Sequence, residues 1–201
     1  MLTPIAKAYG SDIGVEVSSL GVQVHGGMGF VEETGAAQHY RDSRIAPIYE
    51  GTNGIQAIDL VGRKLRRDGG SGMNALMVDL KKIYNLANTA SLDLTECSLS
   101  LKEGIQTLEL ATDIMLQADE IDALSAATPY LNIVASVISG AFIMKAVVNG
   151  AIAGDENTEN MISLCNYHLK SIMPLAKNSI EFLKSPNKLV FDFPREQLAD
   201  L

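Results

Sequence analysis

Two short stretches near the start of this 201-residue chain hold the residue types from which a site can be built. The first is Gln23-Val24-His25-Gly26-Gly27-Met28-Gly29-Phe30, with three glycines in four positions. Glycines permit a sharp turn and let backbone N–H groups come close to a ligand, so such a turn can bind phosphate oxygens. It is not the dinucleotide fingerprint GxGxxG, because that motif follows a strand and here a helical pattern precedes it. Taken alone it reads as a glycine loop that ends a helix. The second stretch is Tyr40-Arg41-Asp42-Ser43-Arg44-Ile45-Ala46-Pro47-Ile48-Tyr49-Glu50-Gly51-Thr52-Asn53-Gly54-Ile55-Gln56. Pro47 disfavours helix before it and Gly51 permits unusual torsions after it, so 45–51 reads as loop. Thr52 suits the cap of a following helix that carries Ile55, Ile58, Leu60 and Leu65. Glu50 therefore sits on a short loop at a helix entrance, flanked by Ile48 and Tyr49. If those neighbours desolvate it, its pKa rises toward the range of a base near neutral pH; a solvated or capping glutamate is the alternative the residues leave open.

The elements that must position these stretches are helical. Residues 3–24 put Ile5, Tyr9, Ile13, Val17, Leu20 and Val24 on one side of a helix, and Met28 and Phe30 are expected in the core. After the loop and its following helix comes Arg67-Asp68-Gly69-Gly70-Ser71-Gly72, a flexible join between two packed regions. Beyond it, Leu76, Met77, Leu80, Ile83, Tyr84 and Leu86 form an amphipathic stripe over 73–90, and Leu99, Leu101, Ile105, Leu108, Leu110 and Ile114 form another from Ser98. Residues 130–153 are almost wholly apolar, long enough to cross a bilayer, yet Asn132, Lys145 and Asn149 favour a buried bundle helix and no membrane span. A last helix over 158–183 contains Pro174, which should kink or split it, and the tail from Ser185 is expected to run extended over the surface. No strand-like alternation persists, so the expected class is all-α, ending in an up-and-down four-helix bundle.

Composition narrows the functions open to the chain. With 47% apolar and 20% charged residues it is not intrinsically disordered. Sixteen Lys and Arg against 24 Asp and Glu give a net charge of -8, which argues against a nucleic-acid partner. Charge is uneven: seven basic to eight acidic residues over 1–72, nine to sixteen over 73–201. Cys97 and Cys165 build no disulfide framework, and no Cys/His spacing suggests a metal, so reduced thiols and a cytoplasmic location are expected.

Together, Q-x-x-G-G-x-G-F followed by R-D-x-R-I-x-x-I-Y-E-G-T resembles the acyl-CoA dehydrogenase family, most densely over 1–67. The resemblance implies that 1–67 is the last part of that family's C-terminal helical domain, 68–72 a linker, 73–185 an extra C-terminal helical bundle of the larger branch, and 186–201 a tail. It implies FAD as cofactor and an acyl-CoA as substrate, with Glu50 as the base that removes the α-proton while the flavin takes a hydride from the β-carbon. Gly51 matches a substrate-contacting position and Thr52 a flavin-contacting one. Gln23, Gly26 and Gly27 match the segment that touches the adenosine diphosphate half of FAD, commonly across subunits, which implies a homo-oligomer, dimer or tetramer. Arg41, Asp42 and Arg44 either support the catalytic loop or face the ligand. His25 and His39 are expected on the surface, and Tyr49 packed. An electron-transfer flavoprotein is the implied electron acceptor. Gly54 departs from the family, where a larger polar residue is common, and Gln56 either compensates or faces solvent. The family's N-terminal helical and middle β-domains, which supply most flavin and acyl contacts, are absent from these residues, so the chain alone is expected to be inactive. A non-catalytic helical interaction module, or an acyl-CoA oxidase, remains the alternative.

Overall fold

A computed structural model describes residues 1–184, and the described residues are helical with no strand. The expectation for the tail from Ser185 lies outside them. The first helix, α1 (Leu2–Val24), runs into a short α2 (Gly27–Phe30), a 3-10 turn and α3 (Ala36–Ser43). After the 44–52 loop comes α4 (Asn53–Asp59), where Thr52 is the N-cap and its Oγ1 accepts the Ile55 N–H at 3.3 Å. This helix continues as a π-type segment, Leu60–Arg66, whose wider turn shows in the Arg67 N–H donating to Gly62 O at 3.2 Å.

Four longer pieces follow: α5 (Ser71–Asn88), α6 (Thr95–Gln117), with a short α7 (Glu120–Ser125) leading into α8 (Ala127–Ala153), and α9 (Thr158–Tyr167). The last of these does not run straight to residue 183. It passes through a π-type turn (His168–Ile172), restarts as α10 (Met173–Lys177) around Pro174, and ends with α11 (Ile180–Leu183). The proline thus splits the helix, as its missing N–H requires.

The apolar 127–153 helix is the centre of the bundle: 67% of its most apolar window is buried, against α5, α6, α9 and α10. Its Tyr130 hydroxyl pairs with Thr112 Oγ1 at 3.0 Å, and the buried His168 Nε2 lies 2.8 Å from Ser136 O, so these polar groups of the core are matched inside it. Stripes predicted from spacing are trimmed by packing. On α6, Leu101, Ile105, Leu108 and Met115 are buried, whereas Leu99 and Leu110, expected inward, lie off that line and are exposed. Leu86 on α5 is exposed too.

The start of the chain and the bundle share one hydrophobic cluster. Ile5, Ala8, Ala57, Leu60 and Val61 join Met73, Leu80, Leu108 and Met144, and both α1 and α4 pack on α8. Arg67–Gly70 is a tight turn in which Asp68 accepts the Gly70 and Gly72 N–H groups, each at 3.0 Å. Beside it, Arg66 Nη1 donates to Met115 O and Ala118 O, at 2.7 and 2.8 Å, binding the end of α6.

The far half of α1 departs from expectation. Only Pro4, Ile5 and Ala8 of this helix are buried, while Ile13, Val17, Leu20 and Val24 are exposed. Met28 and Phe30, expected in the core, are 58% and 82% exposed. Helical spacing identifies an apolar face, but here α3 and α4 pack along α1 without covering that face.

Candidate active site

The glycine turn owes its shape to two of its three glycines. Gly26 has φ 59 and ψ -143, a backbone region nearly closed to residues with a side chain. Gly29 is buried, and a Cβ there would lie 2.1 Å from Val22 O. Gly27 differs: its φ is ordinary, nothing lies within 4 Å of where its Cβ would be, and it is exposed. Nothing in the chain's own packing demands a glycine at 27, which fits a surface that something else approaches closely. Gln23 is also exposed, beside His25, whose Nδ1 is 2.8 Å from Gly21 O. Between α1 and α3 runs an open groove of about 630 Å³, lined by Val22, Phe30, Val31, Ala37, Tyr40 and Arg41 among others.

Arg41 is committed to its own chain: its guanidinium grips Glu32 with two bonds, 2.9 and 2.7 Å, both side chains exposed. This pair ties the last turn of α3 back to the preceding 3-10 turn and raises the Arg41 pKa, chiefly through the hydrogen bonds to Glu32. Asp42 and Arg44 are exposed and make no side-chain hydrogen bond among the described residues. His39 is exposed as well.

Glu50 stands on a strained turn. Its φ of 53 makes it the non-glycine residue with positive φ among those described, and Gly51 follows with φ 81. The left-handed region costs a residue with a Cβ about 1–2 kcal/mol. Hydrogen bonds on either side offset this. Gln56 Nε2 donates to Glu50 O at 3.0 Å, the Asn53 N–H donates to Pro47 O at 3.0 Å, and Lys7 Nζ donates to Gly51 O at 2.9 Å. Each is worth roughly 0.5–1.5 kcal/mol, more where one partner is charged.

Of the two readings the residues leave open for Glu50, the solvated one holds within this chain, and Ile48 and Tyr49 do not bury it. All three are exposed, since Ile48 and Tyr49 stand too far out of the core to wall off the carboxylate. Tyr49 stands 6.0 Å from Lys7 Nζ, measured to its ring centre, instead of packing inside. Thr52 is exposed at the α4 cap; its oxygen accepts from Ile55, and its own proton stays free to donate. Gln56 turns back to the loop instead of facing solvent, at a backbone carbonyl and not at the space left by Gly54.

Two residues at this site escaped the sequence reading. Lys7, half-buried on α1, also donates to Asn53 Oδ1 at 2.8 Å. The Asn53 amide nitrogen meets Ala8 O at 3.0 Å and Asp12 Oδ1 at 2.7 Å, with Ser11 Oγ at 2.9 Å. The available signal was a lysine beside the only buried stretch of α1 and an asparagine directly after a capping threonine; neither is informative until the two helices are known to pack.

Residues 1–65 match the acyl-CoA dehydrogenase C-terminal domain family. Over 69 residues, 34% of this chain and 12% of the relative, the sequence is 67% identical to a 3-methylmercaptopropionyl-CoA dehydrogenase of Ruegeria pomeroyi. A broad-specificity linear acyl-CoA dehydrogenase of Mycobacterium tuberculosis is 25% identical across 92% of this chain and 33% of its own length. The human mitochondrial short-chain specific acyl-CoA dehydrogenase is 45% identical over 62 residues, 31% of this chain and 15% of its own. This chain thus spans at most a third of these relatives. Residues 1–65 are similar to the acyl-CoA dehydrogenase C-terminal domain, and their secondary structure is all helical.

Proposed function

We propose that this chain is the C-terminal part of a flavin-dependent acyl-CoA dehydrogenase in which Glu50 removes the α-proton of an acyl-CoA thioester. The observation that carries the reading is the Glu50 turn: an exposed carboxylate on a left-handed backbone, hydrogen-bonded from two sides, within the segment similar to the dehydrogenases. A side chain held away from its own chain's core is available to a substrate, and removal of an α-proton needs such a base within hydrogen-bond reach.

Bound FAD would supply the acceptor for the hydride that leaves the β-carbon. The residues present fit it: Gly27 leaves an open approach, Gly26 holds the turn, Gln23 is exposed beside them, and the Thr52 hydroxyl keeps a proton to donate. Gly51, next to the base, offers a backbone free of a side chain to the thioester. Arg41 keeps α3 in place through Glu32, a supporting part. Asp42 and Arg44, exposed and without a side-chain hydrogen bond among the described residues, stay open to the ligand or to the covering protein. Glu50 is exposed in this chain, so the acyl-CoA and further protein would have to cover it to exclude water from the reaction. The exposed face with Val17, Leu20, Val24, Met28 and Phe30 favours such cover, from a homo-oligomer and from the remaining parts of a longer polypeptide. By itself this portion is inactive. An electron-transfer flavoprotein in the cytoplasm is the acceptor that completes the reading.

Glu50→Gln in the complete dehydrogenase is the test. Turnover should fall at least about a hundredfold while flavin absorbance is retained. Undiminished turnover refutes the assignment of the base.

A further inference from the structure

We infer that Lys7 is a positioning residue for Glu50: with Asn53 it fixes the left-handed turn that presents the carboxylate. This inference rests on the reading of Glu50 as the base. The Glu50 carboxylate makes no hydrogen bond to another side chain among the described residues, so its place is set by the backbone that carries it. That backbone turns through two successive positive-φ residues, and the carbonyl that closes the turn, Gly51 O, accepts from Lys7 Nζ.

The same ammonium holds Asn53 Oδ1, while the Asn53 amide nitrogen reaches back to Ala8 O and Asp12 Oδ1 on the next turn of α1. The two residues on either side of Thr52 are thereby tied to one helix. That anchor is firm where it matters, because Lys7 lies between the buried Ile5 and Ala8, the part of α1 seated in the core. Lysine chemistry suits this position, since one ammonium with three donors can serve a carbonyl and an amide oxygen together while its stem covers the way out of the core. Without it, Gly51 O loses its donor, Asn53 Oδ1 keeps only the Ser11 hydroxyl at 3.1 Å, and the turn can relax toward ordinary backbone, moving the carboxylate. Misplacement by about 1 Å is enough to cost on the order of a hundredfold in rate.

Two arms test this. In the complete dehydrogenase, Lys7→Met should lower kcat about ten- to a hundredfold with KM within about twofold and flavin content unchanged, and Lys7→Arg should restore part of it. Asn53→Ala, which leaves the Lys7 bond to Gly51 O, should show the same split at smaller size and decides the matter if Lys7→Met does not fold. In the 201-residue chain, Lys7→Met should speed amide exchange at Tyr49 and Asn53, which are hydrogen-bonded to Ile45 O and Pro47 O, at least about tenfold, with α5 to α8 unaffected. Wild-type kcat in the foldable variants, or unchanged exchange at Tyr49 and Asn53, overturns the inference. Should Glu50→Gln retain turnover, the base assignment falls and takes the catalytic role of Lys7 with it, while the exchange arm still shows whether the clamp holds the turn.

Discussion

Arg66→Met tests how strongly the first 67 residues are tied to the bundle. Arg66 is half-buried, and its Nη1 supplies both bonds to the end of α6, at 2.7 Å to Met115 O and 2.8 Å to Ala118 O. A cation at a helix C-terminus meets carbonyls that have no partner within the helix and the negative end of the dipole. Hydrogen bonds to a charged group are worth about 1.5–3 kcal/mol each; partial solvation places these two at the lower end, about 3 kcal/mol together. Methionine keeps the length and apolar stem, so the loss reports the bonds. For a chain of this size each kcal/mol moves the melting point by about 2–4 °C, giving a drop of about 6–12 °C. Thermal melts followed by helical circular dichroism, with urea midpoints at constant m, measure it. Arg63→Met is the internal comparison: its Asp59 partner is four residues away and the Arg63 side chain is 69% exposed, so the loss should stay below about 0.5 kcal/mol. An Arg66→Met loss under about 1 kcal/mol, or equal to that of Arg63→Met, would refute the reasoning.

Gly29→Ala should destabilise the glycine turn by about 2 kcal/mol or more, because the new Cβ meets a backbone carbonyl 2.1 Å away, and Gly26→Ala by about 1–2 kcal/mol through φ alone. Gly27→Ala, in open space, should leave the chain's stability within about 0.5 kcal/mol, so a loss of flavin from the complete dehydrogenase proposed above, with normal unfolding, would single out its surface role. Alkaline stability should depend on the buried thiols. Burial pushes Cys97 up and Cys165 up to about 12, so above the ordinary value of 9.0 the unfolded chain gives up protons that the native one keeps. Stability therefore declines as pH rises from about 9 toward about 12, and in urea titrations Cys165→Ala should flatten that slope; an unchanged slope would count against the shift.

Much of the site was legible because its residues are consecutive. Glycine and proline placed the two turns, and Thr52 capped α4 as its side chain allows. The Pro174 break also came from a local rule. Burial was harder. Val24, Phe30, Leu99 and Leu110 are apolar at helical spacing yet exposed, since periodicity names a face and says nothing of what lies against it. The π-type segments at Leu60–Arg66 and His168–Ile172 left no clear mark in the spacing either, because one wide turn shifts the pattern by a single residue.

The helical class, the order of the two motifs, the carboxylate at 50 and the likeness to acyl-CoA dehydrogenases all depend on neighbours along the chain and are written in the amino-acid order. How that carboxylate is held depends on packing between distant helices. The Lys7, Ser11 and Asn53 contacts join residues more than 40 positions apart, and Arg66 reaches about 50 positions to the end of α6. Local rules follow from torsions and steric fit within a few residues. A bond across such distances exists only once helices have packed and set its two ends within about 3 Å.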